Sequence, residues 1–358
     1  MKKTAILILI PLASVLAGCG GKEETKYFTL WNECDALTTL KDYIKDVTDK
    51  NSKNFIPVKD RIATFDMDGT FVAELYPSYF EYNMLEYRVL DDESYKDKAP
   101  ADVVETAQDI RDFVRTGKKL PDHFDMKHAR AAAKAYAGMT IQAFDAYVKA
   151  YASKPANGFS GMTYGQGFYK PMLEVFKYLE ANDFTYYVVS GSDRFICRSL
   201  VDSIGIEPNR VIGMDVTLMA NKQGENEGQD YTMGVDEHLV RTDDLIIKNL
   251  KTNKVKQISQ EIGKVPVLSF GNSGGDSAMH NYCLSNKTYK SAAFMLVADD
   301  NDRDHAMKWG EDEAAFQARI KKLNDDWTAA NYHVISMKND FKTFYGENVQ
   351  KTPFVFPA

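Results

Sequence analysis

Asp66 and Asp68 lie two residues apart at the end of the apolar run Ile62-Ala63-Thr64-Phe65, and Gly69-Thr70 follow at once. In extended backbone, residues i and i+2 point the same way, so both acids can converge on one pocket. A glycine beside them lets backbone come close to a ligand. In an α/β sheet, ligands bind beyond the carboxyl ends of the strands. Two acids there, with no basic neighbour, suit a metal site or an aspartyl nucleophile.

Two later segments end in the same way. An apolar run over 184–189 leads into Ser190-Gly191-Ser192, and one over 267–270 leads into Gly271-Asn272-Ser273-Gly274-Gly275-Asp276. Between them lie Lys248, Lys251, Lys254 and Lys256. Taken singly, a Ser-Gly after a strand is an ordinary turn, and an Asp-x-Asp can cap a helix or hold surface calcium. In this order, each behind an apolar strand, they form a set.

The elements that must position these residues follow from periodicity. Leu37, Leu40, Ile44 and Val47 fit one helical face ahead of the first strand. Residues 75–165 read as an all-helical insert, with aromatics crowded at Tyr76, Tyr79, Phe80, Tyr82 and Tyr87. Those rings are read as core, with a cation–π cage for a quaternary ammonium as the sharper alternative. The glycine-rich stretch 158–167 is a candidate hinge. Pro171 opens a helix, the strand over 184–189 follows, and then a helix over 195–204. The spans 211–219 and 231–240 read as a hairpin. A helix over 255–262 precedes the third polar strand end, and strands at 292–297 and 333–337 flank a further helix. Strands alternating with helices predict an α/β fold, a mostly parallel sheet covered on both faces.

The ordered set resembles the four motifs of the haloacid dehalogenase (HAD) superfamily of phosphatases. The likeness runs from Trp31 onward and is nearest to a bacterial group of secreted members that includes phosphorylcholine phosphatase, with phosphoserine phosphatase more distant. It rests further on Trp31-Asn32, Gly138-Met139-Thr140, Pro171-Met172-Leu173, Val189-Ser190-Gly191 and the run from Phe270 to Asp276. The resemblance implies a three-layer, Rossmann-like core over 31–74 and 166–358, with a helical C1-type cap over 75–165 that closes over the site. It implies Asp66 as nucleophile through an aspartyl-phosphate and Asp68 as proton donor to the leaving alcohol and then base toward water. Ser190 and the Gly191 N–H would hold phosphate oxygens, with Lys254, or Lys251 as its rival, as the motif lysine. The other lysines are read as solvated. Mg²⁺ is the implied cofactor, held by Asp66, Asp68 through its main-chain carbonyl, Asn272 and Asp276. Many members carry Asp where Asn272 stands; an amide oxygen can still coordinate Mg²⁺ but adds no charge. Glu74 could face the closed pocket, lie on the surface or cap a helix. The implied activity is hydrolysis of a small phosphorylated metabolite. The alternative is a non-catalytic or weakly active ligand-binding lipoprotein that kept the fold.

Composition sets the outer limits. The chain has 358 residues, 44% apolar and 27% charged, ordinary for a globular protein. A formal charge of −7 provides no basic footprint for nucleic acid. Lys2 and Lys3, a short apolar run and Leu16-Ala17-Gly18-Cys19 read as a signal peptide over 1–18. Cys19 resembles a bacterial lipobox cysteine, which implies cleavage before it and lipid on its sulfur. Such cleavage removes two lysines and no acid, so −7 becomes −9. Residues 19–30 read as a flexible tether. Gly20 does not favour inner-membrane retention, so the expected place is the bacterial cell envelope, anchored by lipid at the outer membrane. Cys34, Cys197 and Cys283 are too few and too scattered for a disulfide framework or a zinc site.

Overall fold

The computed structural model describes residues 27–74 and 77–356. The signal peptide, Cys19, most of the tether and Tyr76 lie outside the described residues. Helix α1 (Asp35–Thr48) buries Leu37, Leu40, Ile44 and Val47, the stripe read from periodicity. Strand β1 (Ile62–Phe65) is buried along its whole length. Four helices come next: α2 (Phe80–Leu90), α3 (Ala101–Thr116), α4 (Phe124–Ala135) and α5 (Ile141–Ala152). The short β2 (Phe159–Ser160) leads to α6 (Lys170–Ala181), with Pro171 in its first turn. Then come β3 (Thr185–Asp193), α7 (Arg194–Val201), β4 (Val211–Ala220), β5 (Leu239–Ile247), α8 (Thr252–Glu261) and β6 (Leu268–Gly271). The chain continues through α9 (Ser277–Leu284), β7 (Ala292–Val297), α10 (Glu313–Ala329), β8 (His333–Ser336), α11 (Met337–Asp340) and β9 (Gln350–Lys351). No helix among the described residues is long and apolar enough to cross a membrane.

A seven-stranded sheet takes the order β5-β4-β3-β1-β6-β7-β8. Every neighbouring pair is parallel except β4 with β5. β1 lies between β3 and β6, with Phe65 opposite Val188 on one side and Phe270 on the other. This arrangement brings the three polar segments, after β1, at the end of β3 and after β6, together at one edge of the sheet. Alternation along β3 puts Val188 in the main core on the side of α6, and Val189 against Ile258 of α8 and Met279 of α9. Helices therefore cover both faces, as the α/β rhythm predicts.

Four expectations need correction. β3 does not stop at Val189: it runs through Ser190-Gly191-Ser192 to Asp193, whose carboxylate meets Arg241 of β5, Nη2 at 2.6 Å from Oδ2. The second hairpin strand starts at Leu239, not at 231, because Asn221 and His238 close a long polar tip between them. α8 starts at Thr252, three residues before the expected 255. The stretch 158–167 is not a bare hinge, since β2 pairs antiparallel with β9 near the C-terminus. Gly161 needs its missing side chain there, because a Cβ would run into the Asn348 carbonyl.

The Gly138-Met139-Thr140 turn ties the insert to the sheet edge. The Gly138 N–H donates to the Arg241 carbonyl at 2.8 Å, and the Arg241 N–H to the Met139 carbonyl at 2.9 Å. Thr140 caps α5, its hydroxyl accepting the Ala143 N–H at 2.9 Å. The three described cysteines are free thiols, Cys197 and Cys283 buried and Cys34 half-buried.

Candidate active site

Lys254, in the first turn of α8, is 1% exposed and stands between two carboxylates. Its Nζ lies 2.5 Å from Asp66 Oδ1 and 2.7 Å from Asp276 Oδ1. Burial opposes its charge, but Asp276 and Asp66 outweigh that and hold it firmly protonated. Asp276 feels burial too, yet Lys254 keeps its carboxyl below the usual range. Its Oδ2 accepts the N–H groups of Asn272 and Ser273, both at 3.1 Å. Asp66 is pushed up to about 7, by burial first and then by the charge of Asp276. Lys251, the rival for the motif position, sits exposed at the cavity mouth with φ 53°.

Asp68 occupies the next position on the same side. The Ser192 hydroxyl donates to its Oδ2 at 2.8 Å, while its Oδ1 is buried without a hydrogen-bond partner. Burial, then the charge of Asp66, raises it to about 7, with the Ser192 hydrogen bond partly offsetting both. A carboxyl near 7 can give up a proton and take it back at neutral pH.

These groups open onto a cavity of about 240 Å³. Of the residues predicted from the sequence, Asp66, Asp68, Gly191, Lys254, Asn272 and Asp276 line it. Ser190 is fully buried beside Gly191, its Oγ accepting the Ser192 N–H at 3.0 Å. Its carbonyl accepts from Asn249 Nδ2 at 3.0 Å. At Gly191 a Cβ would come within 2.5 Å of the Leu250 Cδ2 methyl, so a side chain there would push that leucine aside.

Several contributors were not legible in the motifs. Ser192 holds Asp68, and the i, i+2 alternation from Ser190 along β3 was the signal for it. The insert supplies Tyr79, Glu81, Tyr82 and Asp125 to the cavity wall. Of the crowded aromatics, Phe80 and Tyr82 are buried in the core and Tyr87 packs against it. Tyr79 and Tyr82 meet edge to face, 5.2 Å between ring centres. Lys248 corrects the reading of the remaining lysines as solvated. It is buried, and its Nζ donates to Glu81 Oε1 at 2.9 Å. The Asp193 N–H donates to the other Glu81 oxygen at 3.1 Å. Burial works against the Glu81 charge, but Lys248 outweighs it and the carboxyl stays low. His128 is held neutral by burial, down to about 4.

Asp66, Asp276, the Asn272 amide oxygen and the Asp68 main-chain carbonyl are hard oxygen donors of the kind Mg²⁺ takes. The partnerless, buried Asp68 Oδ1 marks this wall as under-satisfied. Among the described residues no three His, Cys, Asp or Glu side chains converge as a ligand cluster. Lys254 stands between the two nearest acids, and the remaining donors are an amide and a carbonyl. The chemistry of the set fits a hard divalent cation.

No protein-family model matches the chain, and no curated protein does. Among solved structures it is similar to a conserved protein of unknown function from Anaerococcus prevotii DSM 20548. The two share 13% identity over 90% of this chain and 98% of that one, with a TM-score of 0.53. A protein of unknown function from Bordetella pertussis Tohama I matches at 13% identity over 77% and 97% of the two chains, TM-score 0.44. Cytosolic 5'-nucleotidase IIIB, solved with cytidine, matches at 12% identity over 80% and 82%, TM-score 0.46. The Anaerococcus likeness, over nearly the whole of both chains, shows a shared fold.

Proposed function

We propose that this chain is a Mg²⁺-dependent phosphomonoester hydrolase of the HAD type, acting on a small phosphorylated metabolite. One observation carries the proposal: two carboxylates, Asp66 just after β1 and Asp276 at the start of α9, joined through buried Lys254, with Asp68 beside them at about 7. A carboxylate attacking a phosphate dianion meets strong repulsion, and a buried ammonium on that carboxylate offsets part of it. Bound Mg²⁺ would supply further positive charge toward the phosphate oxygens, held by Asp66, Asp276, Asn272 and the Asp68 carbonyl.

In this mechanism an Asp66 carboxylate oxygen bonds to phosphorus as the P–O bond to the alcohol breaks. Asp68 gives its proton to the departing alkoxide. Ser192 holds the Asp68 carboxyl through Oδ2, leaving Oδ1 without a partner. Gly191, with Ser190 buried beside it, offers backbone to the phosphate oxygens. Ionised Asp68 then takes a proton from water, whose oxygen attacks phosphorus and frees Asp66. Tyr79, Tyr82, Glu81 and Asp125 face the alcohol part of the substrate and select it. We also propose a lipid anchor on Cys19 that holds the protein in a bacterial envelope at the outer membrane, with no nucleic-acid partner.

The test is hydrolysis of an aryl phosphate with and without Mg²⁺, alongside Asp66→Asn. Turnover should require the metal and vanish in the variant. Metal-free activity, or activity that survives the substitution, overturns the mechanism.

A further inference from the structure

We infer that Glu74 is a positioning residue that decides which end of the Asn272 amide faces the metal site. The inference rests on the proposed role of Asn272 as a metal ligand. An asparagine amide has one accepting oxygen and one donating NH₂, and only the oxygen can bind a hard cation. An aspartate at this position has no wrong end; an asparagine does. Asn272 therefore needs a neighbour that selects its orientation.

Glu74 meets that need. Asn272 Nδ2 donates to Glu74 Oε2 at 3.2 Å. With Nδ2 committed to Glu74, Oδ1 is the end left for the cavity that Asn272 lines. Glu74 is fixed in turn: the Tyr79 hydroxyl, from the residue that caps α2, donates to its other oxygen at 2.9 Å. Space for the contact comes from Gly69, at φ 79°. A Cβ there would fall on the Asn272 amide and lie 3.0 Å from Glu74 Oε2. Three separate segments, after β1, at the start of α2 and after β6, thus converge on one amide. Groups behind a metal ligand that fix its orientation are known to tune affinity as the ligands themselves do.

The test is calorimetric titration of Mg²⁺ alone into metal-free protein. Glu74→Ala should weaken Mg²⁺ binding by roughly 10- to 100-fold. Glu74→Gln, whose amide oxygen can still accept from Asn272, should stay within about threefold of wild type, because orientation and not charge is at stake. In an Asn272→Asp background the orientation effect disappears: Glu74→Ala should weaken binding clearly less than in the Asn272 background, since a carboxylate offers an oxygen whichever way it turns and only one nearby negative charge is lost. Tyr79→Phe, which frees Glu74 without removing it, gives a smaller loss in the same direction and serves if Glu74→Ala does not fold. Equal weakening by Glu74→Ala in both backgrounds, or no weakening in the Asn272 background, overturns the inference. Wild-type protein that binds no Mg²⁺ takes down the proposed metal dependence as well. Unchanged Mg²⁺ affinity with a raised KM in Glu74→Ala would instead place Glu74 in substrate binding.

Discussion

Asp68 is two residues from Asp66, yet the two differ in surroundings. Asp66 is tied to an ammonium, whereas Asp68 has one hydroxyl donor and one bare oxygen. In the proposed mechanism that difference suits the first to attack phosphorus and the second to carry the proton. The assignment has a kinetic signature, because a good leaving group needs no proton. Asp68→Asn should lower kcat for an alkyl phosphate by roughly 10²- to 10⁴-fold and for a nitrophenyl phosphate by much less. Equal losses on both substrates would count against a proton-donor role. Asp304 offers a second residue-scale prediction, away from the cavity. It is 5% exposed, and the Tyr345 and Tyr169 hydroxyls donate to its Oδ2 at 2.9 and 3.2 Å. Burial raises it to about 6, above the ordinary 3.8 of the unfolded chain. Well below pH 3.8 both states hold the proton and burial is free of charge cost. As pH climbs through 6 the unfolded chain ionises first, and about 3 kcal/mol of stability is lost. Asp304→Asn should remove that loss, so urea melts of variant and wild type diverge between pH 4 and 6 and run parallel above.

At the scale of elements, one buried ion pair and one cation–π contact join the helical insert to the sheet edge and its flanking loop. Lys248, just after β5, meets Glu81 of α2. Arg241 of β5 meets Asp193 at the end of β3 and packs over the Phe144 ring of α5 at 4.0 Å. Lys248→Met should destabilise the fold by about 3 kcal/mol, since it strands Glu81 as a buried, uncompensated charge. Adding Glu81→Leu to that variant should restore most of the loss, as apolar replacement of a whole buried pair is often neutral. Chemical denaturation of the single and double variants checks both. None of this pairing was visible in the sequence, where Lys248 was one of four lysines in a polar stretch. Burial of a charge depends on what packs over it, and the insert that covers Lys248 lies more than a hundred residues earlier. The helices themselves were legible, because an apolar stripe at helical spacing is a local signal. The β5 boundary was not, because its start depends on where a long polar tip closes.

Across the whole molecule, the C-terminal segment binds the far side of the insert. β9 pairs with β2, the Thr352 N–H donates to the Gly158 carbonyl at 2.8 Å, and Asn157 and Val355 bond to each other. Phe354 stacks on His305, ring centres 4.0 Å apart. Truncation after residue 347 should therefore expose 155–167 and speed limited proteolysis there, while the sheet core holds. Equal cleavage rates would show that the strap does not hold this region.

The sequence by itself determined the α/β alternation, the strand that leads into Asp66 and Asp68, and the three polar segments that follow apolar runs, because apolar runs and the glycines after them are local; it did not show that β3 continues through its polar segment to Asp193. It also narrowed the motif lysine to Lys254 or Lys251. Only the tertiary structure set Lys254 between Asp66 and Asp276, turned Ser192 onto Asp68 and laid Glu74 against Asn272. Those contacts span 22 to 198 residues. The crossover order of a parallel sheet, with β1 between β3 and β6, closes that distance, and no local pattern encodes it.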